Sequence, residues 1–167
     1  KHMLEQADKG YKIISLCQPD GFQPCQCEDC GKLYNTGKNW GEKIWILHRD
    51  LARHLHKDRP GTKVFLLSYG LTWMPPETFK EFPPNAIIML CRMWPDHLKA
   101  WGECKVPAGY AGYLYLWGTY NTLAYLPSTT PSKINDVVKS MHAFGVHGFH
   151  LDASFHTFGL EGPSYYT

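Results

Sequence analysis

The sequence predicts an α/β protein of parallel (β/α) repeats, the later strands of a TIM-type (β/α)8 barrel. Three observations carry this reading. Short apolar runs rich in β-branched or aromatic residues recur along the chain, helical periodicity or a loop fills each interval between them, and polar and aromatic residues gather directly behind the runs. A closed barrel has eight strands and typically takes about 250 residues, so five strands in 167 residues predict one α/β domain that is part of a larger barrel.

The elements follow in order. A helix tail over residues 3–8 precedes the first strand, Tyr11-Lys12-Ile13-Ile14-Ser15-Leu16, which empties into a cysteine-rich loop reaching to about Asn39. Ile44, Leu47, Leu51 and Leu55 recur at i, i+3, i+7 and i+11 with charged residues between them, the pattern of an amphipathic helix ended by Arg59-Pro60-Gly61. Lys63-Val64-Phe65-Leu66-Leu67-Ser68-Tyr69 is nearly continuous in apolar residues, as expected of a strand covered on both faces, and the run over residues 85–92 repeats the pattern. A short helix over 96–103 leads to a fourth strand over 111–118. Pro131-Ser132 opens a helix whose Ile134, Val137, Val138 and Met141 share a face before Gly145 stops it, and residues 148–152 form the last strand.

Composition narrows the partners. Apolar residues make up 44% and charged residues 19%, the balance of a chain that buries a core, and the net charge of +2 is spread without a Lys/Arg block, which argues against nucleic acid. No apolar run approaches the roughly 20 residues that span a bilayer, so no membrane insertion is expected. Aromatic residues reach 14%, with six Trp and ten Tyr; core filling accounts for more than half of them, and those that follow the strands suit stacking on sugar faces.

In parallel α/β architectures the chemistry sits at the carboxyl ends of the strands. Those positions here hold Asp20, Tyr69, Trp73, Arg92, Trp94, Asp96, Trp117, Tyr120, Asn121, Asp152, His156 and Glu161. Carboxylates with Trp, Tyr, Asn and Arg are the vocabulary of a carbohydrate site, since carboxylates bond hydroxyls and move protons while aromatic faces stack on sugar rings. Glycosidic cleavage needs two carboxyl groups flanking an oxocarbenium-like transition state, and Asp152 and Glu161 are the catalytic candidates. Asp20, Tyr69, Arg92, Trp117, Tyr120 and Asn121 are the candidate substrate contacts. The plainer alternatives are that Asp152 caps a turn, Glu161 is solvated, and Asp20 of the Asp20-Gly21 pair bonds its own backbone.

Cys17, Cys25, Cys27 and Cys30 crowd the loop behind the first strand. They could ligate a structural zinc, form disulfides with each other or with Cys91 and Cys104, or pack as free thiols. A structural staple is favoured over catalysis because no His lies nearby in sequence to activate a thiol. No cofactor is expected for catalysis. Among nine histidines, His48, His54 and His56 are expected to be solvated on the long helix, leaving His147, His150 and His156 as functional candidates.

The run Ser15-Leu16-Cys17-Gln18-Pro19-Asp20-Gly21, then Cys25-Gln26-Cys27-Glu28-Asp29-Cys30, Leu51-Ala52, Leu67-Ser68-Tyr69, Pro75-Pro76 and Pro84-Asn85, resembles a bacterial glycoside-hydrolase-like family of unknown function, domain of unknown function 4838, similar to α-glucuronidase-type TIM barrels. The resemblance covers most of residues 11–92 and, more loosely, Gly159-Leu160-Glu161 onward. It implies a barrel completed by further chain, a carbohydrate substrate, and a secreted or periplasmic location. The expectation is therefore a glycoside hydrolase acting through paired carboxylates, with a non-catalytic carbohydrate-binding module or a small zinc-stabilised α/β protein as the alternatives.

Overall fold

The computed structural model describes residues 1–115 and 130–152, with only the backbone described at 115, 151 and 152. Five strands, β1 (Ile13–Ser15), β2 (Lys63–Ser68), β3 (Ala86–Leu90), β4 (Tyr110–Tyr115) and β5 (Val146–Asp152), form one sheet in the order β1-β2-β3-β4-β5. Every neighbouring pair is parallel, with Ile14 opposite Val64, Leu66 opposite Ile88, Met89 opposite Ala111 and Tyr113 opposite His150. A sheet whose spatial order equals its chain order steps one place at each crossover, which is the arrangement of a (β/α) repeat. The β4–β5 register slips by one residue between Tyr110 and Ala111.

The helices are α1 (His2–Asp8), α2 (Glu28–Lys32), α3 (Trp40–Asp58), α4 (Pro95–Gly102) and α5 (Pro131–Phe144). Their ends follow local chemistry. The Asn39 carboxamide oxygen caps α3 by accepting from the Glu42 amide at 3.0 Å, and Thr130 caps α5 by accepting from the Lys133 amide at 3.4 Å. Proline opens α4 and α5, and Gly145 ends α5 at φ 95°, a left-handed conformation that costs glycine least.

The core lies between the sheet and the helices. Val64 and Leu66 of β2 and Ala86, Ile88 and Leu90 of β3 pack with Trp45, Ala52 and Leu55 of α3, Trp101 of α4 and Phe82. Trp45 and Trp101 meet edge to face at 5.4 Å, and Phe82 lies against both. Leu114, Met141 and Val146 form a smaller cluster under α5. The alternating residues Phe65, Leu67, Ile87 and Met89 are only half-buried, so among the described residues the helices cover one sheet face, where cover on both was expected.

Two expectations for α3 are corrected. Of the expected stripe, Leu55 packs in the core and Ile44 is buried, but Trp45 and Ala52 share the inward face with Leu55, whereas Leu47 is 45% exposed and turns with Leu51 toward the β1 loop. The large Trp45 ring, filling the gap between Phe82 and Trp101, sets the rotation of the helix in place of the smaller leucines. His48 consequently lies on the inner side and is 5% exposed, not solvated, while His54 stays exposed beside Asp58.

The first turn of α3 is tied to its surroundings by unusual means. The buried Glu42 carboxylate accepts hydrogen bonds from the amides of Glu77 at 2.7 Å and Thr78 at 3.1 Å, and from the Thr78 hydroxyl. The buried Lys43 ammonium donates to the carbonyls of Leu33 at 2.6 Å and Gly31 at 3.2 Å, and the Trp45 indole donates to the Met74 carbonyl at 2.8 Å. Gly41 packs so closely on the 3-10 turn Gly70–Thr72 that a Cβ there would overlap the Leu71 carbonyl.

Gly41→Ala is therefore expected to lower the urea midpoint by the equivalent of about 1–3 kcal/mol. Gly31→Ala, with nothing near its added Cβ, should leave the midpoint unchanged or raised. Equal effects at the two sites would contradict the packing. A pH dependence follows from His48, whose pKa burial pushes from 6.5 down to about 4. The unfolded chain takes up a proton that the folded chain refuses, so stability is full above pH 6.5 and falls as pH drops toward 4, by at most roughly 3 kcal/mol in total. Burial lowers the His97 pKa as well, with the same sign. Urea titrations at pH 7 and pH 5 should show a smaller difference for His48→Leu than for the parent chain; an unchanged difference would mean that His48 does not carry it.

Candidate functional site

Three loops leave the carboxyl ends of β1, β2 and β3, and side chains tie them together. After β1, Gln18 reaches across to donate from its carboxamide to the Tyr69 carbonyl at 2.6 Å and the Thr72 hydroxyl at 2.8 Å. After β2, the Thr72 hydroxyl donates to the Leu67 carbonyl at 2.7 Å and lies 2.9 Å from that of Tyr69, which folds residues 69–72 into a tight turn. Tyr69 is thereby set at the mouth, 40% exposed.

Beneath this turn lies a buried polar cluster. The Ser68 hydroxyl donates to the Trp73 carbonyl at 2.8 Å and lies 3.0 Å from His97 Nε2. The Trp101 indole donates to the same carbonyl at 3.2 Å, and His97 Nε2 lies 2.8 Å from it. A single carbonyl thus gathers groups from β2 and α4. His97 is only 2% exposed, so this cluster positions Trp73 and offers nothing to solvent.

Above it, the Arg92 guanidinium, two residues past the end of β3, sits 3.6 Å from the Trp73 ring centre and 4.3 Å from that of Trp94. The two indoles meet at 5.6 Å and 70°, and Trp94 is 57% exposed. A cation against two aromatic rings is held by their quadrupoles while its N–H groups stay available for ligand oxygens. Asp20 lies exposed in the turn with Gly21, whose φ is 65°.

The structure therefore brings Tyr69, Arg92, Trp73 and Trp94 to one end of the sheet, with Asp20 in the loop after β1. Asp152 ends β5 at the same carboxyl edge as a backbone position. Glu161, Trp117, Tyr120, Asn121 and His156 lie outside the described residues. Of the other histidine candidates, His147 begins β5 at its amino end, away from the mouth, and His150 stacks on Tyr113 at 5.2 Å. His97 is not among the candidates that the sequence offers. Its signal was its place in the first turn of α4, just after Pro95, where a helix starts from the strand ends.

The cysteines divide. All six are free thiols, which leaves no disulfide in the loop. The Sγ atoms of Cys25, Cys27 and Cys30 lie within 4.8 Å of one another, so this trio could hold a metal. Cys17 belongs elsewhere, with its Sγ 3.6 Å from the Ser15 hydroxyl and 3.7 Å from the Phe65 carbonyl. Burial raises the Cys17 pKa, while the Cys30 amide, donating to Cys27 Sγ at 3.4 Å, lowers that of Cys27. The Cys27 and Cys25 thiols beside Cys30 raise its pKa to about 11. Beside the cysteines, an apolar groove of about 320 Å³ lies between the β1 loop and α3, lined by Phe22, Leu33, Tyr34, Leu47 and Leu51 among others.

Arg92→Leu should cost less than about 1 kcal/mol, since an exposed cation–π contact is worth about that much. Chemical denaturation checks it, and a larger loss would make Arg92 a structural residue.

The model of a family described as a domain of unknown function (DUF4838) matches residues 1–157. No curated protein and no solved structure matches the chain. The chain belongs to the DUF4838 family.

Proposed function

We propose that the carboxyl edge of the sheet is a carbohydrate site of the glycoside-hydrolase type. The observation that carries this reading is the Trp73–Arg92–Trp94 stack, which presents an exposed indole and a guanidinium side by side, with Tyr69 set near the same strand ends. An indole face covers the C–H surface of a pyranose ring, and the guanidinium donates to its hydroxyl or carboxylate oxygens. Asp20 would accept from hydroxyls, and Trp117, Tyr120 and Asn121 follow β4 in sequence toward the same mouth.

Hydrolysis would use Asp152 and Glu161, one protonated and donating to the leaving oxygen, the other ionised and serving the anomeric carbon as nucleophile or the attacking water as base. The family resemblance favours a secreted or periplasmic bacterial protein and a barrel completed by further chain. A zinc at the cysteine trio would lie in the β1 loop and take no part in sugar chemistry. The second reading, a non-catalytic binding module, rests on the same indole stack, which needs no carboxylate pair to hold a sugar.

A panel of aryl glycosides and oligosaccharides, tested with the parent protein, decides between them. Asp152→Asn and Glu161→Gln are each expected to lower turnover by 10²-fold or more. Trp94→Ala should weaken substrate binding by about tenfold, the equivalent of roughly 1.4 kcal/mol of ring contact. Full activity in both carboxyl variants would remove the catalytic assignment. Glycan binding without turnover in the parent would leave the module reading, and no binding across the panel would overturn both.

A further inference from the structure

The cysteine loop carries an inference independent of the sugar site. Cys27 is the N-cap of α2 and Cys30 is the third residue of that helix, a spacing that brings a cap side chain over the first-turn amide. The irregular Pro24-Cys25-Gln26 segment brings the third thiol onto the cap, with Cys25 and Cys27 Sγ 3.4 Å apart. Cys25 and Cys27 are exposed and Cys30 half-exposed, so the trio opens to solvent.

We propose that Cys25, Cys27 and Cys30 form a three-thiolate site for a soft d10 cation, zinc foremost, with its fourth coordination position open to an external ligand. Three lines of geometry support it. With Zn–S bonds of 2.3 Å, tetrahedral thiolates stand about 3.8 Å apart, so a spread of at most 4.8 Å closes by small side-chain rotations. No fourth His, Cys, Asp or Glu atom joins the group among the described residues, which distinguishes it from a closed four-ligand knuckle. The mount is firm, because Lys43 of α3 grips the carbonyls of Gly31 and Leu33 at the far end of α2.

On binding, each thiol exchanges its S–H bond for an S–Zn bond and releases its proton to solvent, so the divalent ion and three thiolates form a centre of charge −1 before the fourth ligand adds. Softness selects the metal: thiolates favour zinc or cadmium over magnesium or calcium. Cys17, packed against the Phe65 carbonyl with a raised pKa, stays out.

The test uses the whole reduced chain. Elemental analysis after dialysis against zinc should give one ion per chain, and cobalt substitution should give thiolate charge-transfer absorption. Cys25→Ser, Cys27→Ser and Cys30→Ser should each weaken binding at least tenfold, whereas Cys17→Ser should leave stoichiometry and spectrum unchanged. Added imidazole or mercaptoethanol should shift the visible cobalt bands by entering the fourth position. Bound metal should also protect three thiols from alkylation and leave Cys17, Cys91 and Cys104 as reactive as before. Absence of stoichiometric metal, loss of metal in Cys17→Ser, or cobalt bands indifferent to added ligand would each overturn the proposal.

Discussion

The first turn of α3 is the constraint on which the strand-end architecture depends. Two adjacent residues of opposite charge are buried there, Glu42 at 4% and Lys43 at 2% exposure, and they serve different loops. Glu42 collects the amides of Glu77 and Thr78 from the β2–β3 connection, and Lys43 collects the carbonyls of Gly31 and Leu33 from the β1–α3 connection. A buried charge is tolerable only when its hydrogen-bonding capacity is met, so neither loop can leave without exposing an unsatisfied ion. Gly41 and Trp45 on the same turn add a close backbone approach to Leu71 and a bond to the Met74 carbonyl. One helical turn thus orders both segments.

From that turn the order passes to the candidate site. Met74 and Leu71 flank Trp73, and the Trp73 carbonyl is gripped by Ser68, His97 and Trp101. With its backbone fixed from both sides, the Trp73 ring becomes a base against which both Arg92 and Trp94 pack. The platform proposed to meet a sugar therefore rests on core residues of α3 and α4, not on the flexibility of its own loop. The cysteine trio uses the same support, since α2 hangs from Lys43.

Much of this fold was legible in the sequence because burial leaves a period. The runs Lys63-Val64-Phe65-Leu66-Leu67-Ser68 and Ala86-Ile87-Ile88-Met89-Leu90 lie within the expected strands, and the Pro131 start and Gly145 stop of α5 follow from backbone chemistry alone. What periodicity could not supply is which of two apolar stripes on α3 faces the sheet. Ile44, Leu47, Leu51 and Leu55 look inward on a helical wheel; Ile44 and Leu55 are buried, but Trp45 and Ala52 take the inward face in place of Leu47 and Leu51 because the Trp45 ring fills the space beside Trp101. His48 was carried inward by the same rotation. The site was legible as residue types after strands, Tyr69 and Arg92 among them, but the packing of Arg92 against two touching indoles 21 residues apart in sequence depends on neighbouring strands. Cys17 counts with the other thiols in sequence and separates from them only because the strand end holds it against Phe65.

The claim that one turn of α3 mounts both loops is tested most directly by amide hydrogen exchange in the parent chain, Glu42→Gln and Lys43→Met. The account predicts faster exchange around residues 77–78 in the first variant and around 27–35 in the second, with the core strands β2 and β3 still protected in both. Exchange that is unchanged in these loops, or lost uniformly across the sheet, would contradict it.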